Sequence, residues 1–298
     1  MALACLSIFL LPPNPAGAAA TAVAVEAMGL AVTDNSAPGA VTATNGGATA
    51  GATLTITGND GSVGRAHVDI GAMSNAAGTG ARILGSVSWN DSRHMPFVKN
   101  PNWRILYPVL GGLNADMTPL VAFKAGTVVV GSAFTNNVID AGLILSVGTI
   151  GIEGSGPTSF LGRLADRQTG IGGAGLFPSM YVRGRINDHW SIDAKAEVGL
   201  LSTNPIEPKT TPTSPTTSRQ TAPGVGAGSE LYMNAELGVK FTTGEQSARL
   251  GIGAEMVDID APMKNIDGSA TGSQVMERSL AGKVSLTWTF DVMPARKH

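Results

Sequence analysis

Cysteine is almost missing from this chain: Cys5 is the only one in 298 residues. A lone thiol forms no intramolecular disulfide and no cysteine-based metal centre, and its scarcity suits export through an oxidising compartment. Charge is sparse as well, at 14% of residues, with 20 Lys and Arg against 22 Asp and Glu. A net charge of −2 offers no basic surplus to draw nucleic acid. The histidines, His67, His94, His189 and His298, are scattered at spacings that fit no metal site. Nor does any apolar run reach the about 18 residues that a membrane helix needs. The nearest candidates, residues 120–134 and 138–152, are interrupted by Lys124 and Asp140. Both are β-branched and punctuated by glycine, which favours strands.

What is present in quantity is glycine, 39 residues, and a strict alternation of side chains. In the closing stretch LAGKVSLTWTFDV, Lys283, Ser285, Thr287, Thr289 and Asp291 fall on one face, and Val284, Leu286, Trp288, Phe290 and Val292 on the other. Successive strand residues point to opposite faces, so this is a long strand with one polar and one apolar surface. The same pattern recurs upstream. Met180, Val182 and Ile186 oppose Tyr181, Arg183 and Arg185, and after Asn187-Asp188-His189 the residues Trp190 to Leu200 alternate with Ser191, Asp193, Lys195 and Glu197. The turn sets Arg183 opposite Asp193, a register that opposite charges favour. Residues 230–242 and 246–258 form a further pair, with Leu237, Val239, Leu250 and Ile252 on the apolar faces and Glu230, Glu236, Lys240, Arg249 and Glu255 on the polar ones. Earlier, Thr53, Thr55 and Thr57 run into Asn59-Asp60-Gly61, followed by Arg65, His67 and Asp69, a hairpin that keeps both polar faces on one side. Ile83, Val87 and Trp89 alternate with Arg82, Ser86 and Ser88 as a further strand, whereas at 103–110, 120–132 and 138–152 strands are expected but their faces cannot be read.

Short turns at 187–189 and 243–244 alternate with long polar loops at 202–229 and 259–278. Trp190, Phe241, Trp288 and Phe290 lie on apolar faces near the strand ends beside the short turns or the C-terminus. Strand length, alternating loop length and terminal aromatics together predict an antiparallel transmembrane β-barrel of about ten to twelve strands, closed because lipid tolerates no unpaired edge. The aromatics are expected at the membrane interface. A soluble sandwich acting as a secreted or surface-attached adhesin is the competing reading, since it too buries an apolar face. Its core, however, would be made of small Ala and Gly side chains.

Residues 2–11 are an apolar core of secretory length, and residues 16–22 offer small-x-small cleavage sites, so residues 1–22 are expected to be a signal peptide. Residues 23–51 fit either a flexible lead-in or a weak first strand. The barrel is expected over 52–293, with 294–298 a periplasmic tail.

The segment TGIGGAGLFPSMYVRGRINDHWSIDAKAEVGLL, the later LYMNAELGVKF and the terminal TWTF resemble the C-terminal half of porin-like, Legionella-type major outer-membrane proteins. That resemblance implies a pore-forming or structural barrel in the bacterial outer membrane, with no catalytic centre. Its partners are then membrane lipid and the barrel-assembly machinery, not nucleic acid. No cofactor and no metal are expected.

In such a barrel Arg183, Arg185, Asp193, Lys195, Glu197, Glu236, Lys240, Arg249, Glu255 and Lys283 line the lumen. They either set ion preference or bind neighbouring strands together. His67 and Asp69 share a face with Thr53, the neighbours that a hydroxyl-nucleophile hydrolase would need. No nucleophile motif accompanies them, and residues of this kind two apart on a polar strand face are commonplace. GIGGAG at 170–175 precedes neither a helical pattern nor a Lys-Ser/Thr pair, which argues against phosphate binding.

Overall fold

The structure, a computed structural model, describes residues 18–35, 43–58, 63–75, 78–94, 102–107, 113–117, 120–152, 172–203, 209–212, 219–222, 224–264, 267 and 269–293. Its strands are β1 (Ala18–Asn35), β2 (Ala43–Gly58), β3 (Val63–Asn75), β4 (Gly78–His94), β5 (Trp103–Tyr107), β6 (Leu113–Met117), β7 (Val121–Thr135), β8 (Ile139–Ile152), β9 (Gly172–Arg185) and β10 (Trp190–Thr203). They continue with β11 (Lys209–Pro212), β12 (Arg219–Ala222), β13 (Gly224–Val225), β14 (Ser229–Thr243), β15 (Gln246–Lys264) and β16 (Ala270–Met293). Neighbours pair antiparallel from β1 to β4. The two short strands β5 and β6 together bridge β4 to β7, and pairing resumes through β8, β9, β10, β14, β15 and β16. β16 pairs with both β15 and β1, so the ladder closes into a ring of twelve positions, one of them interrupted.

The distribution of side chains is that of an inside-out protein. Leu143 is 63% exposed and Ile252 55%, and Leu237, Leu250, Val284, Leu286 and Trp288 are exposed with them on the outer surface. Asp69, Glu230, Glu236 and Glu255 are buried on the inner face. In water such an exterior would be a continuous apolar patch far larger than soluble monomers tolerate. Facing hydrocarbon it costs nothing, and closure leaves no unpaired edge in the lipid. The chain is therefore a membrane-spanning barrel. A sandwich is ruled out, because the apolar face meets no second sheet.

Both ends of the described chain, in β1 and β16, lie at the end of the barrel that also carries the turns at 136–138, 186–189 and 244–245; this is called the lower end. Two of these turns are built alike. The Asn136 Oδ1 atom accepts from the N–H groups of Val138 and Ile139, and Asn187 Oδ1 from those of His189 and Trp190, so an asparagine side chain closes the loop. In the third, Gly244 takes a φ of 54°, which a side chain would disfavour.

Several expectations change. Residues 23–51, open between lead-in and strand, form most of β1 and part of β2, and residues 18–22 already belong to β1. The rest of the expected signal peptide, the Asn59-Asp60-Gly61 turn and the 294–298 tail lie outside the described residues. The polar loop expected at 259–278 is largely strand. β15 and β16 continue as a hairpin beyond Asp258, which faces Arg278 across the ladder, and its alternate positions Val257, Ile259 and Ala261 are buried inward. The illegible faces of 120–134 also have a cause. A register shift between Val128 and Val130 re-phases β7, so Lys124 and Val128 point inward, both Val129 and Val130 are exposed, and Ala133 is again buried. A bulge adds one residue and breaks the two-residue period.

Candidate functional site: the inner wall

The inner wall of the C-terminal half is built in rows that run across the strands. One row reads Lys283, Gly253, Glu236, Lys195 on β16, β15, β14 and β10; the next reads Ser285, Gly251, Gly238, Asp193, Arg183, ending on β9. The glycines are the key to the pattern. A Cβ on Gly253 would stand 2.6 Å from Lys283 Cε, because the lysine lies across that bare position to reach Glu236 Oε2 at 2.8 Å. A Cβ on Gly238 would stand 2.4 Å from Arg249 Nη2. Arg249 likewise crosses this position, donating from Nε and Nη2 to Asp193 at 2.5–3.1 Å while Nη1 meets Glu236 Oε1 at 2.7 Å. Glu236, 8% exposed, thus receives Arg249, Lys283 and, at 3.3 Å, the largely exposed Lys195. The two-toothed guanidinium geometry matches a carboxylate in shape and charge.

Higher in the lumen the wall turns apolar. Val32, Ile150, Phe177, Leu201, Tyr232, Val257 and Ile259 are buried together. Lys124 of β7 sits against this layer. Its ammonium lies 5.2 Å from the Tyr232 ring centre and 5.8 Å from that of Phe177, and it pairs with Glu197 of β10. The opposite wall holds a second polar chain. His67 Nε2 bonds Asp69 Oδ2 at 2.9 Å, and the Thr53 hydroxyl lies 2.8 Å from Nδ1. Asp69 is wholly buried and leans over Gly51, its partner across the ladder, where a Cβ would fall 1.9 Å from Oδ1. The chain ties β2 to β3 and supplies the buried carboxylate with a donor.

Of the ten residues expected to line the lumen, the structure brings some together and leaves others apart. Asp193, Lys195, Glu236, Arg249 and Lys283 form one connected cluster; Glu197 joins Lys124; Glu255 is buried nearby. Arg183, Arg185 and Lys240 stand apart. Arg183 is indeed opposite Asp193 in the ladder, but Asp193 turns to Arg249, two strands away, because Gly238 leaves that path open. Lys124 was visible in the sequence only as an interruption of an apolar run; an ionisable group inside a membrane segment is itself the signal.

The four aromatics cluster at the lower end. The rings of Trp190 and Phe241 are 4.9 Å apart and those of Trp288 and Phe290 6.2 Å. A third pair that the sequence reading missed, Trp103 with Phe134 at 5.1 Å, stands at the same end on β5 and β7.

No family model matches the chain and no curated protein resembles it in sequence. Solved structures similar to it include a Pseudomonas aeruginosa FadL homologue, at 12% identity and a TM-score of 0.28, covering 91% of this chain and 90% of that one. The P. putida toluene transporter TodX is 9% identical with a TM-score of 0.29, covering 96% and 92%. The outer membrane channel DcaP of Acinetobacter baumannii is 8% identical with a TM-score of 0.29, covering 92% and 98%. The assignment of this chain as an outer-membrane β-barrel stands on its own closed ladder and apolar exterior.

Proposed function

We propose that the barrel is a passive, porin-like channel whose aqueous path follows the charged inner wall between β9 and β16. One observation carries this reading: Arg249 and Lys283 lie flat against the wall over Gly238 and Gly253. Charges stored along the wall leave the axis to water, whereas side chains spanning the lumen would fill it. The apolar layer above is then the narrow part, of the kind that gates by excluding water. The resemblance of the C-terminal half to Legionella-type major outer-membrane proteins is in keeping with this role.

The test is single-channel recording of the purified, folded barrel in a planar bilayer. Discrete, reproducible current steps are expected. A heat-modifiable, folded barrel that conducts no better than the bare bilayer would favour the second reading, a structural surface barrel whose lumen is shut by the layer around Tyr232 and Ile259.

A further inference from the structure

The apolar layer of the upper lumen already holds one ammonium group. Lys124 Nζ lies over the rings of Tyr232 and Phe177, 5.2 and 5.8 Å from their centres, and ends on the Glu197 carboxylate. A carboxylate beside aromatic faces binds an ammonium well, because charge, hydrogen bonding and the ring quadrupole all favour the cation. The other strongly held carboxylates of the inner wall have partners of their own: Arg249 for Asp193 and Glu236, and His67 for Asp69.

Glu230 differs. It stands in the same layer, two residues from Tyr232 on the same face of β14, and is 2% exposed. Among the described residues neither of its carboxylate oxygens has a hydrogen-bond partner. Its cross-strand neighbours are Leu201 and Ile259, both buried and apolar. The side chain reaches over β10 to β9, where a Cβ on Gly173 would stand 2.6 Å from Oε2. Gly173 faces Ile150 on one side and Thr203 on the other. The Thr203 hydroxyl, on a residue 1% exposed, is likewise without a partner among the described residues. A buried carboxylate without a donor is costly, so this one favours any cation that comes to it.

The surroundings select the kind of cation. One carboxylate and one hydroxyl fall far short of the about six to eight oxygens that calcium takes, and aliphatic walls cannot replace the water that magnesium keeps. An alkylammonium fits: its head suits Glu230 and Thr203, and its chain suits Ile150, Leu201 and Ile259, as the stem and head of Lys124 suit the same layer. Glu230 also stands at the upper end of β14, remote from the turn at 244–245, so a cation entering from the upper mouth reaches it without crossing the charged cluster below. We propose that this layer is a binding site for primary alkylammonium cations, with Glu230 as the anchoring carboxylate and Thr203 as a second acceptor. Its role, setting the class of solute that the narrow part selects, rests on the channel reading; binding itself does not.

The probe is butylammonium chloride. It should raise the unfolding temperature of the detergent-folded barrel more than equal sodium chloride does, and butanol, which has the chain without the charge, should not. Glu230→Gln should weaken this binding about tenfold, the scale of one charge-assisted hydrogen bond. Should the glutamine variant not fold, Glu230→Asp keeps the charge, shortens its reach and should weaken binding as well. Asp258→Asn, a carboxylate on the outer face, should bind as the parent does. Lys124→Met removes the internal ammonium and should increase the stabilisation, because the place between the rings then opens to the probe. A parent protein that gains no more from butylammonium than from sodium, a gain that survives at Glu230, or no increase in Lys124→Met overturns the inference. In planar bilayers butylammonium should also reduce the current, less so in Glu230→Gln. Stabilisation of a barrel that conducts no current would refute the channel and leave the site standing.

Discussion

Glu236→Gln is the perturbation that most directly tests how the wall is held. The carboxylate is 8% exposed and meets Arg249 at 2.7 Å, Lys283 at 2.8 Å and Lys195 at 3.3 Å. The amide keeps the shape and removes the charge, so two poorly solvated cations lose their common partner. Breaking a buried ion cluster costs about 3–5 kcal/mol; Asp193 still holds Arg249, which places the expected loss near the lower limit, about 3 kcal/mol. Lys195 supplies the internal control. Its side chain is 56% exposed, so Lys195→Met removes an ion pair of the hydrated kind, worth about 0–1 kcal/mol. Both variants are refolded into detergent and unfolded with guanidinium, following the heat-resistant band on a semi-native gel. The glutamine variant should shift the folding equilibrium by about a hundredfold and the methionine variant by less than about fivefold. Equal shifts, both small, would mean that the cluster is hydrated throughout and that side chains do not lie packed on the wall.

The remaining predictions probe other parts of the same picture. Gly238→Ala should displace Arg249 from Asp193 and destabilise by about 1–3 kcal/mol, the usual cost of overpacking, measured by the same gel midpoint. Gly51→Ala should be worse, because its Cβ would fall 2.1 Å from the Val68 carbonyl oxygen as well as against Asp69, and no rotamer change relieves a backbone clash; folded yield after outer-membrane fractionation reports it. Ala254→Arg, on the outer face between strands whose neighbouring side chains meet lipid, should cost about 2–4 kcal/mol, and equal stability of this variant and the parent would argue against a lipid-facing exterior. An epitope inserted within residues 213–218 should be tolerated and reached by antibody on intact cells; detection only after the outer membrane is broken would invert the orientation.

The C-terminal half was largely legible because nothing interrupts its two-residue period. Residues 231–241 and 248–256 keep one face apolar from end to end, and the observed registers join the strands that were expected to pair. The failures have separate physical causes. A bulge in β7 reverses inside and outside midway along the strand, so no single assignment fits the sequence there. The upper part of the β15–β16 hairpin reads as loop because Asp258, Asp260 and Arg278 lie on its outer face, above the apolar band, where polarity is no obstacle to pairing. The glycines were the least legible feature. At inner positions they look like gaps in the polar pattern and therefore like permissive sites. Each of Gly51, Gly238 and Gly253 instead marks a place already filled by a neighbour's side chain, and the sequence of one strand does not disclose what leans over from the next.

Closure between the first and last strands has a consequence for how the protein is made. The hydrogen bond from Thr287 to Glu26 joins residues 261 apart in sequence, and the whole β1–β16 ladder is of this kind. Every ladder of the ring except β15–β16 and β1–β16 can form while the C-terminal strand is still absent. Until β16 arrives, the nascent sheet carries two raw edges, on β1 and β15, with an apolar exterior already assembled between them. Such a half-built wall is an invitation to mispair with another copy or with itself. Those two edges stay exposed until β16 pairs with both, and a chain truncated before β16 should therefore aggregate more readily than the full chain.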